Sequence, residues 1–225
     1  MDVVRPERSS SLDTAGASAS LDGALVMLAR ITPAVITHLH QRFDTLDEQD
    51  RLFVNAAPSP LRQALRIAQI DLARTAALRL GLEHEAVKLH ADEKGRPRII
   101  TPVGPVLFLS VSHNKDALAI ALSANRIGVD IELLHALPHQ PITMLFSPVE
   151  LEGIVDDDAF TRAWVRKEAY AKWLGSGLRD ALAEGVYETE TIVTTKVLDD
   201  QTHYLGLAGQ DCARATMTEV SLVAL

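Results

Sequence analysis

The 225-residue chain is 47% hydrophobic and 23% charged, with a formal net charge of −8, a balance that excludes a wholly disordered protein and fits one large or two small folded domains. The acidic excess leaves no basic footprint for nucleic acid, and the single cysteine, Cys212, excludes an internal disulfide and a cysteine-built metal site. The Ser- and Ala-rich start lacks an apolar signal segment and the run Ala24–Ala29 is too short to span a bilayer, so a cytoplasmic protein with no membrane partner is expected.

In chain order, residues 1–20 read as a flexible polar lead-in, and Ala24–Ala29 as a buried first strand. Thr45 with Glu48 three residues later fits a capping box opening a short helix through Phe53. Ser59-Pro60 starts a helix to about Leu80, with Leu61, Ala64, Leu65, Ala68, Leu72 and Ala76 on one face and Gly81 as its left-handed stop. Val87–His90 reads as a short strand and Lys94-Gly95-Arg96-Pro97 as a turn. Val106–Ser112 and Ala117–Leu122 form a hairpin, and Ile127–Leu133 another strand. Ser147-Pro148-Val149-Glu150 repeats the cap logic, a longer helix covers Ala159 to Leu174, and Gly175-Ser176-Gly177 ends it. Strands near Ala183–Glu188, Thr191–Val197, His203–Leu207 and Glu219–Ala224 complete the chain. Strand, helices, strands occur twice, which predicts an α+β protein of two similar pseudo-symmetric lobes, residues 21–124 and 125–225.

Two stretches carry chemistry. In Ile127-Gly128-Val129-Asp130-Ile131-Glu132, strand alternation sends the apolar residues one way and both carboxylates the other, about 7 Å apart. Hard oxygens at that spacing suit Mg²⁺, which takes few carboxylates and completes its shell with water and phosphate. Read alone, the plainer account is a half-buried strand with its acidic side in water. In Trp164-Val165-Arg166-Lys167-Glu168-Ala169-Tyr170-Ala171-Lys172, helical spacing puts Trp164, Glu168 and Lys172 on one stripe beside the apolar stripe of Val165, Ala169 and Trp173. Alone, Glu168 and Lys172 fit an ordinary surface ion pair equally well. Asp156-Asp157-Asp158 reads as negative charge for the start of this helix, since successive side chains diverge.

Together, a G-V-D-I-E strand, then W-x-x-K-E-A-x-x-K, then G-x-G-L, resemble the signature of the 4′-phosphopantetheinyl transferase superfamily, and the length resembles its two-lobed Sfp-type branch. The resemblance implies the phosphopantetheinyl transferase fold in a monomeric, Mg²⁺-dependent enzyme. Its activity would move the phosphopantetheine arm of coenzyme A, the co-substrate, onto a serine of an apo carrier protein and release 3′,5′-ADP. It implies Asp130, Glu132 and Glu168 as metal ligands, with Glu168 and Lys172 as the catalytic pair and Lys172 also on the pyrophosphate. Coenzyme A phosphates would be met by Ser112 and His113 of an S-H hairpin, Arg96 of a G-K/R-P turn, and Arg66. Glu150 matches a glutamate of the family's F-S-x-x-E segment, but its capping box accounts for it and it stays outside the metal set. Asn114 departs from the family pattern, and the basic residues expected near the nucleotide's 3′-phosphate have only Arg51 as a counterpart. The alternative is a non-catalytic coenzyme A-binding relative with the same fold.

Overall fold

The computed structural model describes residues 23–83, 87–91, 97–100, 107–139, 142–175, 177–179, 185–198 and 201–223. The lead-in at 1–20 and residues 94–96 of the Gly-Arg-Pro turn lie outside the described residues. The elements run β1 (Ala24–Arg30), α1 (Pro33–Gln41), α2 (Glu48–Asn55), α3 (Pro60–Arg79), β2 (Lys88–Ala91), β3 (Pro97–Ile100), β4 (Phe108–His113), β5 (Ala117–Ser123), β6 (Ile127–Leu133), α4 (Pro148–Gly153), α5 (Asp157–Leu174), β7 (Ile192–Val197), β8 (His203–Gly209) and β9 (Thr216–Glu219). This is an α+β architecture. The first sheet has the order β4-β5-β1-β9, the second β6-β8-β7, and β2 and β3 form a separate ribbon.

Strand β1 explains the layering. Its odd-numbered side chains, Leu25, Met27 and Ala29, enter one core with Leu118, Ile120 and Leu122 of β5 and the buried face of α3. Its even-numbered side chains, Ala24, Val26 and Leu28, enter a second core with Ala117, Ala119 and Ala121 of β5, Ile127, Val129 and Ile131 of β6, and Leu205 and Leu207 of β8. Both strands are therefore buried on both faces, which is why they read as unbroken apolar runs. The chain stacks as helices, first sheet, second sheet, helix, with α5 covering the outer face of the second sheet. Each fully buried Leu or Ile in these cores contributes about 1.5–3 kcal/mol.

Alpha-helix α5 lies unusually close to its sheet. A Cβ on Gly128 would stand 1.9 Å from the Ala169 carbonyl oxygen, and one on Gly206 would stand 2.4 Å from that of Val165. The two glycines let β6 and β8 meet the helix backbone directly, so residues near Ala169 are held close to the acid strand.

Several local expectations change. Asp47, not Thr45, caps α2, accepting from the Asp50 N–H at 2.9 Å, while the Thr45 hydroxyl turns back to the Arg42 carbonyl. Helix α1, capped by Thr32 with Pro33 in its first turn, lies in a stretch for which the apolar pattern gave no expectation. Leu61 is exposed, because it sits in the first turn of α3 before the helix meets the sheet. No strand forms at 185–188; there the Val186 N–H donates to Glu150 instead of to a ladder. The C-terminal strand is Thr216–Glu219, earlier than expected, and it pairs parallel to β1. Asp156 caps α5 and Asp157 and Asp158 fill its first turn, as the sequence indicated.

Candidate active site

The edges of the two sheets meet at β4 and β6, and the acid strand is fixed there from both sides. The Ser110 hydroxyl accepts the Val129 N–H at 3.0 Å. Asp130 is 1% exposed. Its Oδ1 accepts from the Ser112 hydroxyl at 2.7 Å and from Lys172 Nζ at 2.7 Å, and Lys172 also reaches the Val129 carbonyl at 3.0 Å. Oδ2 of the same carboxylate is buried with no hydrogen-bond partner. The Lys172 cation thus belongs to Asp130 on the strand, which sets aside the plain surface pairing with Glu168.

Glu132 and Glu168 complete an acidic cluster around Asp130. Burial, then the Asp130 charge, pushes Glu132 above its ordinary value, against the pull of His135, whose Nε2 lies 3.1 Å from Glu132 Oε2. Burial and then Asp130 push the Glu168 carboxyl up to about 7; Glu132 adds to this and Lys172 opposes it. Two carboxyls raised by burial and by the Asp130 charge, around a buried oxygen with no donor, are the environment a divalent cation relieves. Among the described residues, no group of three or more His, Cys, Asp or Glu side chains is placed to hold a metal ion as a cage by itself. Mg²⁺ needs no such cage, since one or two carboxylates with water and phosphate oxygens satisfy its octahedron. The donor set fits that ion.

On the next residue of β4 the chain faces another way. His113 lines a cleft of about 340 Å³ together with Phe53, Arg62, Arg66, Gln69 and Val111. Arg62 Nη1 stands 2.8 Å from His113 Nε2, so the imidazole accepts there. Burial and then Arg62 hold His113 below its ordinary value, and the same two causes lower Arg66. Arg66 is anchored by donating to the Phe53 carbonyl and lies over the Phe53 ring, 4.7 Å from its centroid. The buried pair of Arg74 Nη2 and Asp50 Oδ2, 2.6 Å apart, ties α2 to α3 and fixes Phe53 for this contact. Among the described residues the cleft is lined by two arginines, a histidine, an amide and apolar groups and by no carboxylate, which is the chemistry of an anion site.

The structure therefore gathers Ser112, Asp130, Glu132, Glu168 and Lys172 into one centre, with His113 and Arg66 in the adjoining cleft. Arg96 lies outside the described residues, although its neighbour Pro97 lines the cleft. Arg51 is not among the residues lining it. Arg62 had escaped the sequence reading, yet it stands one helical turn before Arg66, a spacing that could have found it. Glu150 also proves to be more than a cap. Its capping box with Ser147 is present, and it further accepts from Lys167 Nζ at 2.8 Å and the Val186 N–H at 2.9 Å. Lys167 is fully buried, with its ammonium 5.1 Å from the centroid of the Phe146 ring.

Residues 126–205 match a family model, ACPS, the 4′-phosphopantetheinyl transferase superfamily. The match covers the acid strand, α4, α5 with Glu168 and Lys172, β7 and the start of β8, and it leaves the cationic cleft outside. The match likens this part of the chain to the domains of transferases that handle phosphopantetheine. No curated protein matches the chain. Among the described residues, no helix is long and apolar enough to cross a membrane.

Proposed function

We propose that the protein transfers the 4′-phosphopantetheine arm of coenzyme A to a serine of an apo carrier protein, releasing 3′,5′-ADP. The observation that carries this reading is Asp130: a buried carboxylate shared by Ser112 and Lys172, with its second oxygen unsatisfied, beside two further acids and next to a cationic cleft. Asp130, Glu132 and Glu168 would hold Mg²⁺. The chemistry the cation supplies when bound is neutralisation of charge on the coenzyme A phosphates.

The remaining work falls to the chain's own groups. Arg62, Arg66 and His113 bind phosphate at the nucleotide end, and Arg96 belongs to the same set. The serine oxygen attacks the phosphorus bonded to the pantetheine arm, and its proton passes to a Glu168 carboxylate oxygen. The bond from that phosphorus to the bridging oxygen breaks, and its electron pair leaves with 3′,5′-ADP. Lys172 Nζ offsets charge gathering on the departing group, and Ser112 holds Asp130 in place. The Sfp-type, two-lobed build belongs to the proposal as well. It is supported by the strand orders β4-β5-β1 and β6-β8-β7, in which β1 pairs antiparallel with β5 and β6 antiparallel with β8. A monomer acting in the cytoplasm, with residues 21–124 and 125–225 as lobes, completes the reading.

The test is to incubate the protein with coenzyme A, Mg²⁺ and a panel of apo carriers and to weigh the carriers. Gain of the arm is expected with the wild type, and Glu168→Gln should lower the rate by about a hundredfold to ten-thousandfold while its circular dichroism is unchanged. If no carrier gains mass although coenzyme A binds, the protein is a non-catalytic coenzyme A-binding relative.

A further inference from the structure

The side chain of His135 is 45% exposed, so its ring adds little to any core. The backbone beneath it is nonetheless fixed. Strand β6 ends at Leu133, and the chain that follows is pinned to the first half of α5 at two points. The His135 N–H donates to Thr161 Oγ1 at 2.9 Å, and the Leu137 N–H donates to Asp157 Oδ1 at 2.8 Å. Thr161 is fully buried and its hydroxyl donates to the Asp157 carbonyl at 2.7 Å, so the anchor is itself held. Thr161, Glu168 and Lys172 follow one another at intervals of seven and four, which is one face of α5. The helix face that carries the third acid therefore also sets where His135 stands.

From that position the ring reaches back three residues to Glu132. Nε2 lies 3.1 Å from Glu132 Oε2, and a carboxylate oxygen only accepts, so the imidazole donates. Glu132 makes no other side-chain hydrogen bond or ion pair among the described residues. Asp130 is gripped through one oxygen by Ser112 and Lys172 and keeps the other bare. His135 gives Glu132 the same arrangement, with Oε2 held and Oε1 left over. A glutamate side chain has several rotamers to lose, and a donor fixed in advance lowers that cost before a cation arrives. Resting on the transfer reading above and its acid set, we propose that His135 is a positioning residue. Its Nε2–H holds Glu132 by Oε2 and leaves Oε1 to the divalent cation. The ring itself is not a ligand, since Mg²⁺ takes oxygen donors.

The probe is Mn²⁺, with the free ion counted by electron paramagnetic resonance in the absence of coenzyme A. His135→Ala should weaken Mn²⁺ binding by about tenfold or more, the usual effect of removing a donor behind a metal ligand. His135→Gln, whose amide N–H can replace that of Nε2, should stay within about threefold of the wild type. Urea midpoints of both variants should match the wild type, because the anchor uses only the backbone of residue 135. In the transfer assay, H135A should need about tenfold more Mg²⁺ for half of its maximal rate, with a smaller change in the rate at saturating Mg²⁺. Equal Mn²⁺ affinity in H135A and the wild type, no Mn²⁺ bound by the wild type, or H135Q no better than H135A overturns the proposal. So does a nitrogen coupling in the electron spin echo of bound Mn²⁺ that vanishes in H135Q, which would make the ring a ligand. If the Mn²⁺ series behaves as expected but the wild type modifies no carrier, His135 keeps its place behind the metal site and the transfer reading falls. If the wild type transfers the arm while H135A binds Mn²⁺ as tightly, the positioning role falls alone.

Discussion

Arg62 and His113 show how a single contact alters the meaning of its neighbours. With Arg62 bonded at 2.8 Å, His113 is an acceptor among cations rather than an exposed loop imidazole. Removing the guanidinium deletes a charge-assisted contact to phosphate, so Arg62→Ala should weaken coenzyme A binding by about tenfold or more, read by isothermal titration calorimetry. Glu150 makes the complementary case for stability. Truncating it takes its carboxylate away from a fully buried Lys167 cation, and Glu150→Ala should cost about 3–5 kcal/mol in urea unfolding. Burial pushes this carboxyl up, but Lys167 and the Val186 and Ser147 N–H groups outweigh it and hold it below its ordinary 4.5. Its contribution is therefore full above that pH and is lost as pH falls through the lower folded value. Glu150→Gln should flatten that acid limb when unfolding midpoints are compared from neutral pH downward.

Elements were legible where their signals are local. The alternation of β6 placed Asp130 and Glu132 on one side, and the Asp-rich start and glycine stop framed α5, because each depends on residues a few positions apart. Ser112 with Asp130, Glu150 with Lys167, and Arg62 with His113 are 18, 17 and 51 positions apart, and only packing brings them together. Thr45 misled because a hydroxyl three residues before a glutamate matches a cap whether or not a better one, Asp47, follows. The glycine of the acid strand was visible as a letter and opaque as a cause. Its role is to admit the backbone of α5. Gly128→Ala should push helix and strand apart at a cost of about 3 kcal/mol or more, measurable as a fall in the urea midpoint.

At the scale of the molecule, the two sheets share one interior face rather than a linker. Ala24, Val26 and Leu28 pack in the same core as Val129, Ile131, Leu205 and Leu207. The halves should therefore unfold as a unit. Both tryptophans, Trp164 and Trp173, lie on α5, whereas the longest helix is α3 in the other half. Tryptophan fluorescence consequently reports the second half, whereas far-ultraviolet circular dichroism reports the helices of both and is weighted to the first. Their denaturation curves should superimpose, and separated midpoints would show two independently stable lobes.

The parallel pairing of β9 with β1 bears on how the molecule is made. During synthesis β1 emerges ahead of every other described element, yet the neighbour that covers its outer edge is encoded after β8. Until residues 216–219 leave the ribosome, that edge offers unpaired N–H and C=O groups to any passing strand. The nascent chain thus carries an open seam from the emergence of β1 to that of β9, while every other described strand and helix is made in between.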